Sequence, residues 1–247
     1  MPKINRWQKI HKSIFPSTSC TDLVIWNSPG SLGSTLGLPK WSKFIRYSIY
    51  VPGYLVGVFV GLLLSDASMT IAVANGNPRM ALKQSIINFP FFWGTYVILT
   101  HYMASLPHYE WTTLSTGKTY FSLRLDTRAY PVFYKLHALF FIDGRKGITP
   151  ELFHYLSPQA LAFWIMGDGL YSSGGLTLCT DCFTTYEVVI LMNILTIRYG
   201  FKCTINKAAG NSRIYISRSS MENLRKIVSP HMFPFSNYKL NGKRNWT

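Results

Sequence analysis

Hydrophobic and polar positions along the chain fall into two similar successions of elements. Almost wholly apolar helices are predicted at Tyr54–Asp66 and Ser157–Asp168. Ser157 suits the N-cap of the second helix, and Pro158 suits its first helical position. Each helix is followed by alternating strand-like residues, a long apolar helix, further strands and a third helix. This repeated αββαββα order indicates an internal duplication in an α+β protein with two pseudo-symmetric lobes.

The remaining helices follow the same pattern in both halves. Thr184 followed by Glu187 three residues later predicts a capping box at one helix start. The long and third helices are expected at Asn88–Leu106 and Ala129–Phe141 in the first half, and at Thr184–Tyr199 and Ser219–Val228 in the second. The chain thus divides into an extension (1–49), a first repeat (50–142), a linker (143–156) and a second repeat (157–247).

The extension is rich in Ser, Gly and Pro and is expected to be mostly irregular. Its first 21 residues carry no acid and several Lys, Arg and Ser residues. They resemble a transit peptide, and a basic DNA-binding arm or an unstructured start fits them equally well.

The polar faces of the predicted strands share one chemistry. In the strand Lys118–Leu125, for example, Lys, Tyr, Ser and Arg alternate with apolar residues. Such faces, with hardly any acid, can reach phosphates and base edges together, whereas an ordinary solvated sheet face mixes both signs of charge. The residues proposed to contact nucleic acid are Arg79, Lys83, Lys118, Tyr120, Ser122, Arg124, Lys202, Arg213, Tyr215 and Ser217.

Composition narrows the class of protein. The 247 residues carry a net charge of +15, which comes from scarce acids, and 48% of them are hydrophobic. A disordered chain is therefore excluded, and a polyanionic partner is favoured. The longest apolar stretches, Tyr54–Leu64 and Phe89–Met103, are too short or too interrupted to span a bilayer. The lack of a clean span disfavours a small membrane protein, and no signal peptide is expected.

The cysteine spacing raises the question of zinc. Cys179 and Cys182 form a C-x-x-C pair. The alternation of the surrounding strands, however, places Cys179 and Cys203 on opposite sheet faces. Reduced structural thiols in a reducing compartment are therefore preferred over a metal site.

Two aspartates occupy equivalent places in the two halves, at the ends of the apolar helices. Gly57, Gly61 and Ser65 recur every four residues and would let the helices approach closely. Asp66 and Asp168 would then come together. Because crowded carboxylates repel, a divalent cation such as Mg²⁺ would relieve the pair and could activate water beside a phosphodiester.

These motifs resemble a known family. FVGLLLSDA at Phe59–Ala67 and LAFWIMGDG at Leu161–Gly169 are similar to the two copies of the LAGLIDADG motif. The resemblance runs from about Pro52 to Leu240 and is to single-chain, two-repeat homing endonucleases encoded in organellar introns. It implies that the two motif helices form the interface between the lobes, and that the two sheets make a saddle over DNA.

The resemblance also implies roles for individual residues. Asp66 and Asp168 would bind the metal ions, with the carbonyls of Ser65 and Gly167 sharing in ligation. Lys146 would assist near one scissile phosphate. The remaining catalytic candidates are Lys239, symmetric with Lys146, Gln84 near the first aspartate, and Asp181 at the position matched to Gln84 in the second repeat. Ala67 departs from the motif, which has glycine there.

The implied activity is Mg²⁺-dependent double-strand cleavage that leaves 3′ overhangs for intron homing. Mn²⁺ is expected to substitute, and Ca²⁺ to bind without supporting cleavage. The protein would be a monomer in the mitochondrion, with double-stranded DNA as its partner and no membrane association. An RNA maturase that assists splicing of its host intron has the same fold and stays the alternative.

Overall fold

The structure, a computed structural model, describes residues 41–142, 144–208 and 210–242. Most of the predicted extension, including Cys20, lies outside the described residues. Its described end is not irregular, because Ser42 caps a short helix, α1 (Lys43–Ser48), by accepting from the Ile45 amide. The prediction of a mostly irregular extension stays a prediction for residues 1–40.

The first αββαββα unit is present in the predicted order. Its two β-hairpins join into one antiparallel sheet of order β1-β2-β4-β3. The elements are α2 (Gly53–Leu64), β1 (Ala67–Thr70), β2 (Arg79–Ser85), α3 (Phe89–Leu99), β3 (His108–Thr113), β4 (Thr119–Asp126) and α4 (Tyr134–Phe140).

The second unit repeats this architecture, so the predicted duplication and α+β class are confirmed. Its sheet has the equivalent order β7-β8-β10-β9. Between the units lie the small hairpin β5 (Phe141–Ile142) and β6 (Arg145–Lys146) and a short helix α5 (Leu152–Tyr155). The elements of the second unit are α6 (Pro158–Asp168), β7 (Gly169–Ser172), β8 (Gly175–Leu178), α7 (Thr185–Tyr199), β9 (Cys203–Ala208), β10 (Asn211–Ile216), α8 (Met221–Val228) and a terminal turn α9 (Tyr238–Asn241).

Helix boundaries differ most in the first unit. The helix expected at Asn88–Leu106 is α3 flanked by two 3₁₀ turns, and it ends at Leu99. The apolar pattern continues past that point because Tyr102 and Met103 are also buried. In the second unit the capping box is confirmed, since Thr184 and Glu187 exchange hydrogen bonds at the start of α7.

Helices α2 and α6 form the centre of the molecule and contact each other closely. Both are apolar on every side, as expected of helices buried all around. At Gly61 an added Cβ would lie 2.5 Å from Phe163 Cβ and 3.0 Å from the Trp164 amide nitrogen. Only glycine therefore allows this approach, and it brings together the two chain segments that follow the helices.

The linker between the units is tied to α7 by a buried acid. Glu187 accepts hydrogen bonds from the Arg145 guanidinium, at 2.9 Å, and from the Ile148 amide. Burial alone would raise the pKa of Glu187, but these bonds and those from Thr184 together lower it. The hairpin that carries Lys146 is thereby fixed against the second unit. Within the described residues, no helix is long and apolar enough to cross a membrane.

Candidate active site and sheet surface

Asp66 and Asp168 lie at the ends of the central helix pair. Helix α2 stops at Leu64, and the Ser65 hydroxyl donates back to the carbonyls of its last turn, so Asp66 follows the break. Asp168 is the last residue of α6. A Cβ added at Gly167 would lie 3.7 Å from Asp66 Oδ2, which shows how closely the two ends meet. The structure thus brings the two predicted aspartates to one place.

Both carboxyl groups are electrostatically perturbed. Burial raises the pKa of Asp66, although a hydrogen bond from Gln84 and two nearby lysines oppose the rise. Burial, and then the negative charge of Asp66, raises the pKa of Asp168 to about 7. Two partly buried carboxylates that repel each other form a site whose charge a cation would stabilise.

This perturbation has a consequence for metal-free stability. Between the ordinary pKa of 3.8 and about 7, folded Asp168 holds a proton that the unfolded chain has released. We therefore expect the free energy of unfolding to fall as pH rises through this window. Asp168→Asn removes the titration, so its stability relative to the natural protein should increase with pH in urea denaturation with a chelator. A difference that stayed constant across the window would contradict this assignment.

Two lysines are placed equivalently against the ends of the helices. Lys146 Nζ donates to the Ser65 carbonyl at 2.8 Å, and Lys239 Nζ donates to the Gly167 carbonyl at 2.6 Å. Burial lowers the pKa of Lys146. The two carbonyls proposed as metal ligands are thus lysine acceptors here. The symmetric placement matches the sequence expectation, and each carbonyl oxygen retains a second lone pair.

Gln84 is positioned next to the first aspartate. It lies on the apolar side of β2, in line with Met80 and Leu82, and its amide nitrogen donates to Asp66 Oδ2 at 2.5 Å. Its amide oxygen accepts from Asn88 Nδ2 at 3.0 Å. This second bond orients the Gln84 amide so that its nitrogen faces the carboxylate.

Strand register corrects the match made for Gln84 in the second repeat. The residues after the two aspartates, Ala67 and Gly169, pair with Leu82 and Leu178. Gln84 lies two residues after Leu82, so its equivalent is Thr180, two residues after Leu178, and not Asp181. Thr180 is fully buried, and its hydroxyl donates to the Ser212 carbonyl. Among the described residues, Asp168 has no side-chain hydrogen bond like that of Asp66.

Asp181 instead lies beside the exposed sheet face. It accepts two hydrogen bonds from Arg213, at Nε and Nη2. Glu110 similarly lies between Lys83, at 3.0 Å, and Arg124, at 3.7 Å. The expectation of faces with hardly any acid is therefore wrong, because strand β3 and the β8–α7 turn contribute carboxylates that pair with the basic side chains.

Other predicted contact residues lie on or near the two polar faces with varied exposure. Tyr120 is 55% exposed, whereas Ser122 is buried and donates to the Glu110 carbonyl. Ser122 is therefore not available as proposed. Tyr215 is partly buried, and its hydroxyl donates to the Ser173 carbonyl. Arg79, Lys118 and Lys202 are exposed, and Ser217 is partly exposed in the turn after β10.

The donor set at the helix ends suits a hard cation. It comprises two carboxylates and two backbone carbonyls, the oxygen ligands that Mg²⁺ prefers. Among residues 41–142, 144–208 and 210–242, no cluster of three or more His, Cys, Asp or Glu side chains could hold a metal ion. Cys179, Cys182 and Cys203 are free thiols, and Cys203 pairs in register with buried Ile216.

Sequence reasoning missed three polar residues near these surfaces. Asn88 donates a hydrogen bond to Gln84, and Asp126 accepts two hydrogen bonds from Arg124. Glu110 forms ion pairs with two basic side chains, Lys83 and Arg124. The spacing Arg124-x-Asp126 places both side chains on one strand face and could have revealed their pairing. Glu110 carried no such signal, because its partners come from other strands.

A family model and several known proteins match this chain. A family model described as the LAGLIDADG DNA endonuclease family matches residues 56–224. The cytochrome b mRNA maturase bI2 of Debaryomyces hansenii is 29% identical over 211 residues, 81% of this chain and 79% of that protein. The intron-encoded endonuclease ai4 of Dictyostelium discoideum is 35% identical over 120 residues, 47% of this chain and 76% of that protein.

A solved structure has the same fold over most of the chain. The homing endonuclease I-WcaI, bound to its DNA recognition sequence, superposes with a TM-score of 0.76 and 25% sequence identity. The alignment covers 83% of this chain and 95% of that one. The similarity therefore includes both units and the helix pair between them.

Proposed function

Because this chain belongs to the LAGLIDADG DNA endonuclease family, we propose that it is a site-specific DNA endonuclease. It cuts both strands of a long target by metal-dependent phosphodiester hydrolysis, leaving 3′ overhangs that serve intron homing. The observation that carries this proposal is the meeting of Asp66 and Asp168 at the ends of two packed helices, each with a lysine on the preceding carbonyl.

Some residues of the site supply charge, and others hold the charged groups in position. Lys146 and Lys239 place positive charge where the attacked phosphate becomes more negative, which favours the transition state. Gln84 holds one carboxylate in a fixed orientation. Mg²⁺, held by Asp66 and Asp168 with the carbonyls of Ser65 and Gly167, would supply water activation and stabilisation of the leaving oxygen. Mn²⁺ should substitute, and Ca²⁺ should support binding alone.

The test is cleavage of a long randomised DNA library by the purified full chain with Mg²⁺, with Ca²⁺ as the control. We expect discrete double-strand ends within one extended motif. A library that contains the intron-free junction of the host gene keeps the target represented. If this junction stays intact and bound DNA is not enriched, the endonuclease proposal is wrong.

The polar sheet faces predict a strong dependence of DNA binding on salt. If their basic residues contact phosphates, the logarithm of the binding constant should fall with the logarithm of salt concentration by about 0.9 per contact. We therefore expect a slope steeper than about −4 in a fluorescence-anisotropy titration, for roughly five or more contacts. A slope near zero would contradict the proposed interface.

A maturase that assists splicing is the second candidate, and the similarity to the Debaryomyces hansenii maturase favours it specifically. Binding to host intron RNA, with faster splicing in vitro, would support it. The net charge of +15 suits either nucleic acid. Affinities measured for DNA and RNA of matched length and sequence would therefore distinguish the endonuclease from the maturase. We also propose the mitochondrion as the protein's place of action, which relatives named for introns and for cytochrome b mRNA support. We propose a monomer because one chain supplies both aspartates of the site.

A further inference from the structure

Arg124 and Arg213 occupy equivalent positions in the two sheets. Leu82 and Leu178, already matched through the aspartates, pair with Leu125 and Ile214 on the next strand. The residue before each partner is an arginine on the polar face. The duplication therefore places one guanidinium at the same point of each proposed DNA-contacting surface.

Each of these arginines is held by a carboxylate through the same edge. Arg124 donates from Nε and Nη2 to Asp126, at 2.9 and 3.0 Å. Arg213 donates from Nε and Nη2 to Asp181, at 2.7 and 2.5 Å. Bidentate pairing of this kind fixes the plane of the guanidinium as well as its position.

The two carboxylates come from positions that the duplication does not relate. By the strand register, the equivalent of Asp126 is Tyr215, and the equivalent of Asp181 is Ser85. Asp126 is two residues along the same strand as its arginine, whereas Asp181 follows the neighbouring strand. Both units thus reach the same arrangement by different substitutions, which indicates that the arrangement itself is useful.

The free edge of each guanidinium has a defined chemistry. Two of the five N–H donors bind the carboxylate, which leaves the end formed by Nη1 and Nη2. At Arg124 this end is approached by Glu110, with Nη1 3.7 Å from Oε1, an ion pair longer than a hydrogen bond. The donors at this end match the O6 and N7 acceptors that guanine presents in the major groove. The Arg124 and Arg213 side chains are 33% and 27% exposed, so both reach the surface of their sheets.

We propose that Arg124 and Arg213 each read a guanine, one in each half of the DNA target, and that Asp126 and Asp181 are positioning residues that set this specificity. The proposal rests on the endonuclease function proposed above. It reassigns Asp181 from the catalytic centre to base recognition in the second unit. The target should carry the two guanines at equivalent distances on either side of its centre.

The experiment is selection of bound sequences from a randomised DNA library by the full chain with Ca²⁺, followed by sequencing. Asp181→Asn should reduce guanine preference about tenfold at one position in one half-site, because an amide offers only one acceptor oxygen. Asp126→Asn should do the same at the equivalent position of the other half. Non-specific affinity should stay unchanged or rise slightly, because each variant removes a negative charge.

A charge-matched control separates positioning from net charge. Glu222→Gln also removes one negative charge, but Glu222 is 80% exposed on α8 and pairs with Lys226 one helical turn further on. It should leave every base preference unchanged. Arg213→Gln removes the guanidinium, and because glutamine matches adenine and not guanine, the variant should lose guanine preference at the position that Asp181→Asn affects. The double variant that carries both the Asp181 and the Arg213 substitution should lose no more guanine preference than either single variant.

The outcomes distinguish this inference from the endonuclease proposal. If the natural protein selects and cuts a motif but Asp126→Asn and Asp181→Asn leave its base preferences unchanged, the positioning proposal is wrong. The proposal is also wrong if Arg213→Gln retains the guanine preference, and this variant provides the test where an aspartate variant does not fold. If the natural protein neither selects nor cuts any DNA motif, the endonuclease proposal fails first and this inference fails with it.

Discussion

Replacing either Asp66 or Asp168 with asparagine is expected to abolish double-strand cleavage while leaving DNA binding intact. The two carboxylates lie at the meeting ends of α2 and α6, and asparagine keeps their shape while removing the charge that holds a cation. Loss of about 4 kcal/mol of transition-state stabilisation corresponds to a roughly thousandfold slower reaction. The measurement is single-turnover cleavage of the identified target with Mg²⁺.

Binding measured with Ca²⁺ provides the matched readout for these variants. Affinity within about threefold of the natural protein would show that the sheets still contact DNA, because phosphate contacts dominate affinity. The Glu222→Gln variant controls for the loss of one negative charge far from the site. Double-strand cleavage within tenfold of the natural rate in either aspartate variant would overturn the assignment.

The different surroundings of Asp66 and Asp168 also predict that the two DNA strands are cut at different rates. Asp66 receives a hydrogen bond from Gln84, whereas the equivalent Thr180 is turned to the Ser212 carbonyl. Duplication therefore conserved the aspartates and the lysines but not the residues next to them. The two halves of the site share their charges and differ in how firmly those charges are oriented.

The sequence predicted the parts of the fold whose signals are local. The motif helices were evident because nearly every position is apolar, and the capping box because Thr184 and Glu187 are three residues apart. The polar and apolar faces of the strands followed from the alternation of polar and apolar residues. The symmetric lysines were expected from the family resemblance, and their contacts with the carbonyls of Ser65 and Gly167 agree with it.

Features that depend on register could not be predicted in the same way. Counting along the sequence matched Asp181 to Gln84, but hydrogen-bonded pairing from Leu82 and Leu178 shifts the match by one residue. A shift of one residue moves a side chain to the opposite face of a sheet. Likewise Glu110 forms ion pairs with Lys83 and Arg124 on other strands, contacts that exist only once the sheet forms.

Substituting Gly61 with alanine should destabilise the protein far more than the same change at Gly57, although both lie buried on α2. At Gly61 the new methyl would meet the Ala160 carbonyl, Phe163 Cβ and the Trp164 amide, which belong to the backbone or first side-chain atom of α6. These atoms can move only if the helices separate. Overpacking of this kind costs about 3 kcal/mol.

At Gly57 the new methyl would meet the Ser157 hydroxyl at 2.7 Å, the Gln159 amide oxygen at 2.8 Å and Gln159 Cβ at 3.1 Å. The first two are side-chain ends that can move, although the Ser157 hydroxyl also caps α6 by accepting from the Ala160 amide. Alanine favours a helix over glycine by up to about 1 kcal/mol, which offsets the roughly 1 kcal/mol lost if the Ser157 cap is displaced, so Gly57→Ala should cost far less than Gly61→Ala. Urea denaturation of both variants checks the difference. Equal stabilities of the two variants would show that the helix pair tolerates separation at Gly61. A large loss at Gly61 alone, accompanied by slower cleavage, would show that this contact holds the two aspartates together.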